Sequence, residues 1–187
     1  MNRMLLIVVL FATLNTSSQQ MTEEETVKMK QAFSSVPMNT FRFLGNQIMC
    51  KMSDPDDEYA CWRIGKVKLN DLYAPTSEPW QEIPQANGVV ASVFIIVAND
   101  EYEAYWVIGH KNGIIESIQL TGNYPDEQLN FAGIMLADNE DKVKNILGPR
   151  YSVSDVPEIN GTVWDYAPFR ISIEFKGDVV YSIRISK

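Results

Sequence analysis

Few residues in this chain have the type and spacing to do chemistry. His110 is its one histidine. Strand alternation around a three-residue loop, Lys111-Asn112-Gly113, places it on an apolar face, across from Ile114 and diagonal to Glu116. A histidine beside a carboxylate can act as an acid–base pair or pH switch, and is equally a satisfied polar pair at the end of a sheet. A single histidine excludes a histidine-rich metal site, and a zinc site would need Cys50 and Cys61 reduced and close to it. The acidic loop 53–58 (Ser-Asp-Pro-Asp-Asp-Glu) lacks the glycine and the twelfth-position glutamate of an EF-hand, so it reads as a solvated loop. There is no Gly-rich phosphate loop and no Gly-x-Ser-x-Gly elbow. No catalytic residue, metal site or cofactor is therefore assigned.

The polar positions of two alternating hairpins are more informative. Tyr105, Ser117, Gln119, Arg170, Ser172, Glu174, Ser182 and Arg184 should share one sheet face. Small hydroxyls make a smooth surface, and tyrosine and arginine are residue types that anchor interfaces. A plain solvated face is the competing reading.

Two hairpins must position these groups. In the last one, Phe169, Ile171, Ile173 and Phe175 alternate with polar residues. After an expected three-residue loop, Lys176-Gly177-Asp178, the alternation resumes with Val179, Tyr181, Ile183 and Ile185. The earlier hairpin, 102–110 and 114–121, matches it, with Ser117-Ile118 recurring as Ser182-Ile183. Upstream, residues 66–71 resemble 133–138, which points to a duplicated unit. In the second copy Asp138 and Asp141 start a short helix with Val143, Ile146 and Leu147 as its stripe, stopped at Gly148-Pro149. The first copy has Pro75, Pro79 and Pro84 there and can hold at most a helical turn.

The N-terminal part reads differently. Arg3, an apolar run over 5–14 and small polar residues to Ser18 describe a signal peptide at 1–18, too short to span a bilayer. A capping box at Thr22 and Glu25 predicts a helix over 22–33; residues 41–52 fit either helix or strand. In an exported chain Cys50 and Cys61 read as a disulfide. The expected layout is a helical segment with the disulfide loop (19–62), a first repeat (63–122) and a second (123–187), in one compact domain. The expected class is α+β: an antiparallel, curved sheet from two tandem repeats, with short helices packed on one face.

Leu147-Gly148-Pro149, Trp164-Asp165-Tyr166 and Glu174 to Gly177 followed by an apolar strand resemble the SmpA/OmlA outer-membrane proteins and the tandem unit of β-lactamase-inhibitor proteins. That resemblance implies helices on one face of a curved antiparallel sheet; it transfers no functional residues, and the lipid-accepting cysteine of the outer-membrane proteins is missing. A formal charge of −8 disfavours nucleic acid and anionic membranes and fits a basic protein partner. The expected function is an exported, soluble, non-catalytic protein-binding module in the periplasm or outside the cell, acting in envelope assembly or as an inhibitor or immunity protein. The alternatives are a secreted hydrolase using carboxylates and a small-molecule carrier.

Overall fold

The computed structural model describes Asp56 and residues 59–148, 150, 152–166 and 170–187. The expected signal segment, the helix over 22–33, residues 41–52 and Cys50 lie outside the described residues, as does the acidic loop apart from an exposed Asp56.

Alternating β-branched and aromatic residues form two four-stranded meanders. The first contains β3 (Gln81–Pro84), β4 (Val90–Ala98), β5 (Glu103–Lys111) and β6 (Ile114–Gly122). The second contains β7 (Ser152–Val156), β8 (Gly161–Asp165), β9 (Ile171–Lys176) and β10 (Val179–Ser186). They join through their last strands into one eight-stranded sheet of order β3-β4-β5-β6-β10-β9-β8-β7, with every neighbouring pair antiparallel. A two-residue ladder, β1 (Arg63–Ile64) with β2 (Val67–Lys68), precedes them.

The fold is mostly β, which corrects the expected α+β class with several helices. Among the described residues the one α-helix is α1, Glu140–Leu147. Asn139 caps it, its Oδ1 accepting the Lys142 N–H at 2.9 Å, and Gly148 at φ 81 ends it. In the first half the stretch after Tyr73 carries Pro75 and Pro79 and forms no helix, because proline removes the N–H that a helical turn needs.

Both hairpins also differ from the expected register. Their loops hold two residues, not three: Lys111 pairs with Ile114 around Asn112 and Gly113 (φ 52 and 77), and Lys176 pairs with Val179. The second strand of each hairpin then bulges two residues later, at Glu116 and at Tyr181. The bulge restores the expected faces beyond it but exchanges neighbours before it. Ile115 and Val180 are therefore core residues, whereas Val179 is 37 % exposed.

The same backbone events occur in both halves. Ile64 pairs with Val67, and Phe131 with Ile134; Gly65 and Ala132 both have φ near 55, at 55 and 53. Asn70 N–H bonds Ile115 O, and Ala137 N–H bonds Val180 O, at 2.9 and 2.8 Å. The bridges Leu72–Ile114 and Asn139–Val179 follow. At the seam, β6 and β10 pair Ser117 with Ser186 and Thr121 with Ser182, so Gln119 opposite Arg184 lies at the centre of a local two-fold arrangement.

One sheet face carries the core. Phe94, Trp106, Leu120, Ile183, Ile173, Trp164 and Val153 run across it in one rung, and Ser92, Ile108, Ile118, Ile185 and Ile171 in the next. Ile64, Leu69, Phe131, Ile134, Leu136, Val143 and Leu147 close over this face. Each fully buried large side chain contributes on the order of 1.5–3 kcal/mol.

Candidate functional site

The opposite face collects the polar residues. Its central rung reads Val107, Gln119, Arg184, Ser172, Asp165, Ser152 across six strands, and the next reads Tyr105, Thr121, Ser182, Glu174, Val163. Ser117 and Ser186 form a third pair. Tyr105, Ser117, Gln119, Ser172, Glu174, Ser182 and Arg184 thus share the face, because successive strand residues point to opposite sides. Arg170 lies just before β9 at φ 49; it is exposed, and its carbonyl accepts the Ser186 N–H.

Hydroxyls organise the charges here. Gln119 Nε2 donates to Ser182 Oγ at 2.9 Å. Asp165 is clasped by two serines, Ser172 Oγ donating at 2.9 Å and Ser152 Oγ at 3.3 Å. Burial raises the Glu174 carboxyl, opposed by its Ser182 hydrogen bond and by the Arg184 charge. Burial also raises the Tyr181 phenol, reinforced by the Glu103 carboxylate, whose Oε1 accepts from Tyr181 Oη at 3.4 Å. Arg184 is exposed at the seam and makes no ion pair or side-chain hydrogen bond among the described residues.

The expected His110–Glu116 pair does not form. Glu116 lies in the bulge and faces Lys187, with Nζ 3.8 Å from Oε1. His110 Nε2 instead lies 3.0 Å from Ser92 Oγ, which donates to Glu82 Oε1 at 3.3 Å. Tyr73 stacks on the imidazole, with centroids 3.7 Å apart and planes 9° from parallel. The Tyr73 hydroxyl is buried and has no hydrogen-bond partner among the described residues.

Correspondence between the halves makes this relay unusual. Ile108 and Ile173 correspond, their cross-strand neighbours are Ser92 and Trp164, and one strand further out stand Glu82 and Val153. His110 corresponds to Phe175, whose ring lies 4.3 Å from that of Trp164. A polar trio thus stands where the second half has an apolar one. Sequence reasoning missed Glu82 and Ser92 because β3 is short and the partner of β4 was not assigned. Ser92 has no exposed surface and its proton goes to Glu82, so the geometry is not that of a nucleophile awaiting substrate.

Cys61 is disulfide-bonded. Among the described residues no three His, Cys, Asp or Glu side chains gather to hold a metal ion, and no helix is long and apolar enough to cross a membrane. A cavity of about 170 Å³ opens beside Glu103, Asn123, Lys176 and Tyr181, smaller than the roughly 300–1,000 Å³ of typical ligand sites.

No family model matches the chain, and no curated protein matches it in sequence. Among solved structures it is similar to a cysteine-rich secretory protein from Staphylococcus aureus subsp. aureus Mu50, at 16% identity and a TM-score of 0.37 over 59% of this chain. The chain spans about 40% of that structure's length. A likeness at this level carries no argument about function.

Proposed function

We propose that this protein is an exported, non-catalytic module that binds another protein through the hydroxyl and arginine face of its sheet. The carrying observation is Arg184, exposed at the seam of the two meanders and, among the described residues, making no ion pair or side-chain hydrogen bond. Around it stand Ser117, Thr121 and Ser186, half-buried small groups that let a partner approach the sheet closely, with Ser182 buried beneath them. A guanidinium that keeps its five donors free is suited to a carboxylate or carbonyl of a partner. The export reading rests on residues 1–18. Envelope assembly is supported by the resemblance to SmpA/OmlA proteins, and inhibition of a secreted protein by the resemblance to tandem inhibitor units.

Tagged protein would be incubated with envelope extract and its captured partner identified. Arg170→Glu with Arg184→Glu should abolish capture of that partner while leaving the far-ultraviolet spectrum unchanged. Equal capture by a folded double variant would refute the assignment to this face.

A further inference from the structure

The two outer edges of the sheet differ in how they meet solvent. β3 ends in Pro84, which has no N–H to offer. Proline and bulges are the devices that keep free edges from pairing with another chain. β7 has neither: Ser152-Val153-Ser154-Asp155-Val156 pairs one-to-one with β8 and shows no register shift. Its three central residues are exposed, and among the described residues no backbone bond reaches its outer side.

Val153 and Asp155 point to one face of this edge, Ser152 and Ser154 to the other. Val153 is 43 % exposed. A strand laid alongside would set alternate residues opposite Val153 and Asp155, and the complementary pair is an apolar residue two positions from a lysine or arginine. Self-pairing is disfavoured, because it would join two chains of formal charge −8.

We propose that β7 is a docking edge for an extended segment of a basic partner protein, which adds to the sheet as a further strand through backbone hydrogen bonds. Val153 and Asp155 select an apolar residue and a cation in alternation. This edge is separate from the hydroxyl and arginine face, so either can fail without the other.

The test uses two synthetic peptides, Ser-Thr-Val-Thr-Lys-Thr-Val-Thr and the same sequence with glutamate for lysine, with amide chemical shifts of the full protein as readout. The lysine peptide should shift β7 and β8 amides and bind about fivefold more tightly than the glutamate peptide. Asp155→Asn should remove that preference. Val153→Lys should abolish binding while the amide spectrum of the other strands stays that of the folded parent. The proposal is overturned by equal binding of the two peptides, by shifts confined to other strands, by no shift up to about 1 mM, or by a protein dimer that Val153→Lys converts to monomer.

Discussion

Ser92 occupies, in the first half of the sheet, the rung position that Trp164 occupies in the second. The two halves share backbone pairings, so the fold itself does not demand a polar group there. Exchanging an indole for a hydroxyl removes apolar burial, and the loss is offset only if the new polar atoms satisfy one another. His110 and Glu82 supply those partners.

The Ser92 and His110 sides of the relay should therefore be energetically coupled. Ser92→Ala strands the inner nitrogen of His110 and should lower stability by about 1–3 kcal/mol. His110→Phe installs the residue of the second half and leaves Ser92 bonded to Glu82. The double variant should lose less than the sum of the two single losses. Urea unfolding of the four proteins gives this cycle; strict additivity would mean that the 3.0 Å contact carries no coupling.

The relay also dictates a tautomer. Ser92 has one proton and gives it to Glu82, so the bond to His110 must take its proton from Nε2. Long-range nitrogen–proton spectra of the neutral ring should show the proton on Nε2. The opposite tautomer would show that Ser92 donates to the ring and that its contact with Glu82 is not a hydrogen bond.

The strands were legible from period-two alternation, and so was the polar face: Ser117, Gln119, Ser182 and Arg184 lie where alternation puts them. The spacing read from Ser117-Ile118 and Ser182-Ile183 is the spacing at which the turn and bulge recur. Turn length was not legible, because a three-residue loop and a two-residue loop followed by a bulge give the same faces beyond Glu116 and Tyr181. The partner of His110 was hidden for a related reason: Ser92 and Glu82 reach it across strands whose pairing no local pattern specifies. The class was misread because the helix over 138–147 was taken as one of several, whereas it is the one α-helix among the described residues and the expected helix over 22–33 lies outside them.

Glu174 provides a pH-dependent test. Its folded value is raised by burial, so folding favours the protonated acid. Its contribution to stability is present below the ordinary carboxylate range and is lost as pH rises through the raised value. Glu174→Gln should therefore be more stable than the parent at pH 7, by no more than about 1 kcal/mol given solvent screening. The difference should shrink toward zero near pH ~4. Urea midpoints at the two pH values check it; a less stable variant at pH 7 would mean that the attraction of Arg184 outweighs burial.

The disulfide-bonded Cys61 lies just before β1. With Cys50 as the proposed partner, the loop is short, and Cys50→Ser should lower stability by about 2–3 kcal/mol. Unfolding with and without reductant should show the same loss in the parent and none in the variant. A variant that is still reductant-sensitive would require a different pairing, such as a link between chains.

Two glycines separate a packing requirement from a backbone one. Gly161 opens β8, and a Cβ there would sit 1.8 Å from the Phe175 carbonyl oxygen, an atom of the neighbouring strand that cannot swing aside. Gly161→Ala must push β8 away from β9 and so loosen the Gly161–Lys176 and Thr162–Phe175 pairs. A loss of about 2–4 kcal/mol is expected. Gly113 lies in the hairpin turn at φ 77 with nothing within 4 Å of its would-be Cβ. Gly113→Ala meets only the left-handed backbone penalty, about 1–2 kcal/mol. Hydrogen exchange distinguishes the two further: Gly161→Ala should speed exchange across β7, β8 and β9, whereas Gly113→Ala should act only at the tip of the β5–β6 hairpin. If Gly161→Ala were the milder change, β8 would have room to move outward, and the edge strand β7 would be more loosely held than its unbroken register implies.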